Sequence, residues 1–540
     1  MENNTAYDSN RLPLGLVDLS NIRKSNMIYV DKTKLLYDIV RQRTPLFLSR
    51  PRRFGKTLLI NTMHSLFEKG LEDFHGLDIE KVWNDTTYKV AHIDFSSLAD
   101  DNPQEFKRDL VEILVQQFRV GDTVSQFDAL GVRNPNIVLS EIALNLNNNS
   151  TVLLIDEYDA PLTHHINKKN ELDDIMRTIN NFYATVKQFA DKFRFIFITG
   201  ITRTSHISIF SAFNNLVDIS VNDKFNTLLG FTQYDIEKFF DPYIECTAKN
   251  LGMSKEDVYE RLKQYYDGFQ FSINAKETVY NPWSVLSFLQ YSQDGFKNYW
   301  FKSSGSSTLI MQYLKNNTLN PLNYQGSNVE VSEDAISDRY EINSMPGYIV
   351  LLQAGYFTLR KKTSTIARLT FPNTEVEESI LNLYLQEKNM KLDIENYCAI
   401  DELIENIDSK NLLYIVDKFN AILNDCVSSD SNIFNDERSV RDILYTALPQ
   451  VSALQKIKER ATLKGRADLE ILTHKTHMVI EFKRTSPTRD AKACLEEAIE
   501  QIRSKGYGIG SFQSHVLYRV AMVIASEEKA LLPAFCQEVV

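Results

Sequence analysis

The sequence predicts a multidomain α/β protein built around a parallel sheet, and three observations carry that expectation. Between residues 27 and 235 four apolar runs of strand length, TPLFLSR, KVAHIDF, STVLLIDE and KFRFIFITG, alternate with helical stretches. Runs that are apolar throughout suit strands covered on both faces, the setting of a parallel sheet. From about Asp235 to Leu314 the chain turns helical and aromatic (YDIEKFFDPYIE, DVYERLKQYYDGF, NPWSVLSFLQYS), which predicts a lid or accessory helical module. Beyond the polar stretch NDCVSSDSNIFND, the best linker candidate, the C-terminal segment reads as a helix, two strands, a helix and a last strand. The expected division is therefore 1–235 for the sheet domain, 236–320 for the helical module, 321–430 for a mixed connecting region and 431–540 for a smaller α/β domain.

Bulk properties narrow the classes. With 43% hydrophobic and 24% charged residues the chain has the composition of an ordered globular protein. Its start, MENNTAYDSNRLPLG, has neither a basic n-region nor an apolar h-region, and no apolar run reaches membrane-spanning length, so a cytoplasmic protein without a membrane partner is expected. Five scattered cysteines without a CxxC pair argue against zinc sites and a disulfide framework. The net charge of −11 gives no global attraction to nucleic acid. Residues 431–540, however, carry 16 Lys and Arg against 14 Asp and Glu, a local +2 that leaves −13 elsewhere.

The stretch FLSRPRRFGKTLL ends like a phosphate-binding loop, although Arg50 stands where the usual pattern has its first glycine. A phosphate cradle needs a strand, a tight turn with free N–H groups, a lysine, a hydroxyl for the metal and a following helix. PLFLS supplies the strand and TLLINTMHSLFEKG the helix; Gly55 gives close approach, Lys56 reaches the phosphates and Thr57 holds Mg²⁺. Arg52, Arg53 and Phe54 complete the loop, with the arginines facing either the phosphates or outward. STVLLIDEYDAP then places an apolar strand directly before Asp156, a metal carboxylate, and Glu157, which would polarise the attacking water.

Further candidates are Thr199, at the end of FIFIT, as a γ-phosphate sensor, and Arg203 as a phosphate contact in cis or in a neighbouring subunit, or as a solvated loop residue. Asp159 would assist the metal or cap the next segment, and Asp31 and Lys32 would line the nucleotide pocket. His164 and His165 receive no chemistry. The aromatics of QYYDGFQF and NPWSVL are read as core, with base stacking as the alternative.

In the C-terminal segment, GRADLEIL and HMVIEFKR offer Asp468, Glu481 and Lys483 on adjacent strands. Residues two apart on a strand share a face, so Glu481 and Lys483 stand side by side. Phosphodiester cleavage by a metal-bound water needs such carboxylates with a lysine. Glu437 lies on the inward face of ERSVRDILYTAL, where a carboxylate is costly without a partner. Glu470 shares the face of Asp468 and reads as the surplus carboxylate of a solvated strand, and His474 and His477 as a polar hairpin tip rather than a metal site.

These motifs resemble those of the bacterial AAA-ATPase-like family, whose members usually carry a C-terminal PD-(D/E)XK nuclease domain. The resemblance rests on LPLGLVDL, MIYVDKTKLL, PLFLSRPRRFGKTLL, LIDEYDAPL, FITGITRTSHISIFSAFNNLVDIS and YDGFQF with VYNPWSVLSFL, and covers nearly the whole chain. It implies a P-loop AAA-like core, a helical lid and a PD-(D/E)XK α/β domain, and in that family R-P-R-R-F-G-K-[ST] is the normal loop, so Arg50 is a family trait. By position it implies Lys56 and Thr57 as phosphate and metal residues and Asp156 and Glu157 as the Walker B pair. In the nuclease pattern it implies Glu437, Asp468 and Glu481 as metal ligands, Lys483 as the catalytic lysine, and Gln501 with Tyr507 as a supporting pair. The expected cofactors are ATP and Mg²⁺, with Mn²⁺ as an alternative at the nuclease site. The expected partners are nucleic acid, DNA ahead of RNA, and a homo-oligomeric copy of the chain. The function read from all this is an ATP-binding and ATP-hydrolysing protein coupled to a metal-dependent nuclease acting on nucleic acid; the alternative is a non-cleaving nucleic-acid-binding ATPase switch with an inactive nuclease-like domain.

Overall fold

The computed structural model describes residues 8–98, 102–118, 134–203, 215–300, 310, 329–338, 340, 345–387, 397–426, 434, 436–448, 454–458, 461–462, 465–509 and 515–540. Most of the linker candidate, at 427–433 and 435, lies outside them, as do 204–214 of the FITGITRTSHISIFSAFNNLVDIS motif. The chain divides into two compact units, Met1–Glu377 and Glu378–Val540.

The first unit is built on five parallel strands: β1 (Leu46–Ser49), β2 (Lys89–Asp94), β3 (Thr151–Asp156), β4 (Phe193–Gly200) and β5 (Val217–Asp218). Their order is β2-β3-β4-β1-β5, so β4 separates the loop strand β1 from the acidic strand β3. Every residue of β1, β3 and β4 is buried, as unbroken apolar runs require. The Lys56–Lys69 helix packs on β2 and β3. Across the sheet Phe106, Leu110, Val138, Ile142, Ile175, Ile179 and Phe182, from three helices, close a core with Phe47, Ile93, Ile155 and Ile198. Short β5 has no apolar run to announce it and exists only because its backbone pairs with β1.

The helical stretch forms as expected, over Gln233–Leu251, Lys255–Tyr266 and Pro282–Gln290. Thr232 and Asp235 make a reciprocal capping box at its start, and Ser254 and Asn281 cap the next two helices. Tyr265, Tyr266, Phe288 and Phe296 fill its core, which also takes Leu12 and, along its margin, Leu14, Ile28 and Val30 from the N-terminal segment. Glu375, 1% exposed, accepts from Ser284 Oγ (2.6 Å) and from the N–H groups of Tyr299 and Trp300 (2.7 Å each), pinning this module to later chain. Strands β6 (Glu330–Ser332), β7 (Thr358–Lys361) and β8 (Ile366–Thr370) make a small antiparallel sheet.

The second unit has strands β9 (Gln455–Lys458), β10 (Ala461–Thr462), β11 (Gly465–Arg466), β12 (Leu469–Leu472), β13 (Thr476–Arg484), β14 (Val516–Ala525), β15 (Ala530–Leu531) and β16 (Gln537–Glu538). The main sheet runs β15-β14-β13-β12-β9 with β16 beside β14, while β10 and β11 pair separately. β12 and β13 form the expected hairpin, antiparallel with Leu469 opposite Ile480. β13 and β14 are parallel over nine residue pairs, joined through the Ala491–Lys505 helix, whose Ala498 and Ile502 pack with Val479 and Ala521. The Glu437–Ala447 helix also packs on β13.

Candidate active sites

In the loop after β1, Gly55 has φ 91°, and a Cβ built there would meet nothing within 4 Å. The glycine therefore serves its backbone conformation, and the space beside it is open cavity. The Lys56–Lys69 helix begins at once, presenting its free N–H end to that space. Phe54 anchors the loop from behind, edge-on to Phe269 and Phe271 with ring centroids 4.8 and 5.3 Å away.

Arg50 explains the missing first glycine. Its side chain turns into the protein body, donating to Ser49 O (2.9 Å), Ser220 O (2.7 Å) and Phe225 O (2.9 Å), with its guanidinium 4.1 Å from the Phe271 ring centre. Burial pulls its pKa down to about 9.

A cavity of about 560 Å³ opens over the loop, lined by Arg52, Arg53, Phe54, Gly55, Lys56, Thr57 and Glu157 at one end. Ile28, Val30, Phe231 and Trp283, from the N-terminal segment and the helical module, form much of its apolar end. The volume lies in the range of small-ligand sites. Lys56 is buried and donates to the carbonyls of Arg50 (3.0 Å) and Pro51 (3.2 Å), which hold its ammonium at the loop. Burial lowers its pKa and Glu157, Asp156 and Asp159 oppose that. Thr57 Oγ1 donates to Asp156 Oδ2 at 2.8 Å, the hydroxyl–carboxylate pair a Mg²⁺ site requires, so these residues fit the expected ion. Glu157, at φ 47°, turns its side chain to the cavity; burial raises its pKa, while Lys56 and Arg52 counter the rise.

Five expectations change here. Thr199 does not line the cavity: the register that sets Ile155 beside Ile198 brings its hydroxyl onto Asp156 Oδ1, so it orients that carboxylate. Arg203 is committed elsewhere, paired with Asp218 at 2.7 Å and donating to the carbonyls of Ile336 and Ser337, beside a separate cavity of about 50 Å³. Asp159 neither caps its helix nor faces Thr57, because its carboxylate accepts from Ile201 N, Thr202 N and Thr202 Oγ1. Asp31 accepts from Thr33 N and Asp78 N outside the cavity, whereas Lys32 lines it and pairs with Asp235. Arg53 reaches the cavity mouth with its guanidinium 4.2 Å from the Trp283 ring centre. Trp283, taken from sequence as a core aromatic, thus sits on the cavity wall because Pro282 starts its helix there.

In the second unit the predicted acids converge on β13. Lys483 Nζ donates to Glu481 Oε1 at 3.0 Å, Asp468 Oδ2 accepts from Phe482 N at 2.9 Å, and Glu437 Oε1 accepts from Arg484 N at 2.8 Å. Burial, then Asp468, pushes the Glu481 carboxyl up to about 7. Burial also raises Asp468; for Lys483 it acts downward and Glu481 more than offsets it. Among the described residues no three His, Cys, Asp or Glu side chains form a ready metal cage. Glu481 Oε2 is nevertheless buried and lacks a hydrogen-bond partner among them. That orphaned oxygen beside Asp468 fits a divalent cation held by two carboxylates with water completing its shell. Gln501 Nε2 donates to Tyr507 Oη at 3.2 Å, and a Cβ at Gly465 would lie 3.0 Å from that same oxygen. Gln501 therefore acts through Tyr507, whose hydroxyl lies close to Gly465 and within the field of Glu481, Asp468 and Lys483.

Two residues read as solvated are not. Glu470 and His477 are buried, with His477 Nε2 2.7 Å from Glu470 Oε2, because the hairpin register folds both onto one covered face. Sequence reasoning also passed over Arg441, a buried guanidinium one helical turn from Glu437, bidentate to Asp442 and electrostatically coupled to Asp468.

Residues 13–210 match the family described as Predicted AAA-ATPase, and residues 435–532 match the PD-(D/E)XK nuclease superfamily. The chain is also similar to an uncharacterized protein of the vnfD 5' region from Azotobacter chroococcum mcd 1, with 26% identity over 521 residues, covering 92% of this chain and 93% of the relative.

Proposed function

We propose, from a chain that joins an N-terminal AAA-ATPase-like domain to a C-terminal PD-(D/E)XK nuclease-like domain, that it hydrolyses ATP in its first unit and cleaves nucleic acid in its second. The observation that carries the first half is the convergence of Lys56, Thr57 and Glu157 at the polar end of a cavity of about 560 Å³ whose other end is largely apolar, with Asp156 bonded to Thr57 behind it. Lys56 and the helix N-terminus bind the phosphates, and Thr57 with Asp156 would hold Mg²⁺, which supplies charge neutralisation. Thr199 fixes Asp156, and Glu157 orients the water. The water oxygen bonds to the γ-phosphorus, the bond to the bridging oxygen breaks, ADP keeps that electron pair and the water proton passes to Glu157.

In the second unit Asp468 and Glu481 would hold a divalent cation, Mg²⁺ or Mn²⁺, whose chemistry is to acidify water and polarise the phosphodiester. Lys483, kept charged by Glu481, positions the nucleophile or the phosphate. Glu437 holds the strand end through Arg484 N–H, and Gln501 acts through Tyr507. DNA is the substrate tested first.

Turnover of ATP and cleavage of plasmid and oligonucleotide substrates in Mg²⁺ or Mn²⁺ test both halves. Lys56→Ala is expected to abolish ATP turnover, and Asp468→Ala and Lys483→Ala to abolish cleavage. Nicking that persists unchanged in both C-terminal variants would refute the nuclease assignment.

A further inference from the structure

Four arginines belong to the loop or were candidates for it, and their side chains divide sharply. Arg50 is 2% exposed and spends its donors on the carbonyls of Ser49, Ser220 and Phe225. Arg203 is spent on Asp218, Ile336 O and Ser337 O. Arg53 lies over Trp283, at the apolar side of the cavity mouth.

Arg52 differs from all three. It lines the cavity together with Lys56, Thr57 and Glu157. Its backbone carbonyl is fixed by the indole N–H of Trp300 at 3.4 Å, so the loop holds the residue in place without using its side chain. Its Nε is buried and has no hydrogen-bond partner among the described residues. A buried guanidinium N–H left unpaired carries a desolvation penalty that an anion would relieve. Lys56 and Glu157 both feel its charge, which places that charge at the phosphate end.

We infer that Arg52 is a γ-phosphate contact acting within its own chain, so that the site distinguishes a nucleoside triphosphate from a diphosphate without an arginine from a neighbouring copy. The inference rests on the nucleotide reading above and deepens it. Lys56 serves both nucleotides, because the β-phosphate is common to them. Arg52 would serve the triphosphate alone, and its planar fork suits a terminal phosphate with three free oxygens.

The test is displacement of a fluorescent nucleotide analogue from the full-length chain by ATP and by ADP, in wild type, Arg52→Gln, Arg52→Lys and Lys56→Ala. Arg52→Gln is expected to weaken ATP about tenfold, as loss of a charge-assisted hydrogen bond does, and ADP by less than about twofold. Arg52→Lys, which keeps the charge, should recover part of the ATP affinity, while Lys56→Ala loses both nucleotides. Equal losses for ATP and ADP, or none, would overturn the inference while leaving the nucleotide site standing. A wild-type chain that binds neither nucleotide would overturn both. Mixing Arg52→Gln with Lys56→Ala chains should restore no ATP turnover, and recovery on mixing would assign Arg52 to a neighbour's site instead.

Discussion

At the scale of single residues, two glycines at the nucleotide end illustrate two separate reasons for glycine. Gly55 sits at φ 91° with open space where a Cβ would go, so Gly55→Ala carries only a backbone penalty of about 1–2 kcal/mol. Gly200 has a Tyr158 ring atom 2.4 Å from the Cβ position, so Gly200→Ala must push the ring that Thr202 O and Phe47 hold in place. Chemical denaturation is expected to show the larger loss for Gly200→Ala, in the upper part of the roughly 1–3 kcal/mol range of overpacked cores. Arg194 gives a residue-scale pH dependence. Its side chain is 5% exposed and bonded to Asp85 at 2.7 Å. Burial raises the Asp85 pKa, the hydrogen bonds from Tyr88 and Arg194 more than reverse this, and the carboxyl ends below its ordinary value. Its folded pKa is thus depressed, so its stabilisation is present above about pH 3.9, the unfolded value, and is lost as pH falls through the lower folded one. Asp85→Asn should flatten that acid limb in thermal melts. At neutral pH it should cost about 1 kcal/mol, because Asp85 is partly exposed and Arg194 keeps its bonds to the carbonyls of Gln42 and Val40.

At the scale of elements, what could be read from sequence follows from how each element is held. The strands β1, β3 and β4 announce themselves because each is buried on both faces, β2 through its apolar Val90, Ala91 and Ile93, and β12 and β13 because alternate residues carry chemistry. β5, β15 and β16 are two residues long and exist through backbone pairing alone, which leaves no side-chain pattern to read. Glu470 and His477 misled for a related reason: polarity suggested solvent, whereas the cross-strand register buries the pair with His477 Nε2 against Glu470 Oε2. Lys56, Thr57, Asp156 and Glu157 could be found from their positions at strand ends, but Trp283 could not, because its place on the wall depends on where a helix 227 residues beyond Lys56 docks. If the apolar end of the cavity receives the nucleoside, Trp283→Ala should weaken ATP and ADP alike, by about 1–3 kcal/mol for a lost stacking surface, while inorganic triphosphate competes unchanged. Calorimetric titration of the three ligands checks this, and an equal loss for triphosphate would place Trp283 in loop support instead.

At the scale of the whole molecule, the two candidate sites share no residue and lie in separate compact units, so any communication between them has to be an energetic coupling with a measurable size. Two constellations in one chain motivate such a coupling: nucleotide bound between the phosphate loop and the helical module would favour one arrangement of that module, and nucleic acid would favour the same arrangement or the other. Thermodynamic linkage then fixes a reciprocal relation, because the factor by which ATP changes nucleic-acid affinity must equal the factor by which nucleic acid changes ATP affinity. For couplings of ordinary size, about 1–3 kcal/mol, that factor is roughly 5–150. Asp468→Ala with a non-hydrolysable nucleotide allows both affinities to be measured without turnover at either site. Equal, non-unit factors in the two directions are the expected result, together with altered cleavage in Lys56→Ala. Factors of one in both directions, with cleavage by Lys56→Ala at the wild-type rate, would mean two independent enzymes on one chain and would sink the coupling.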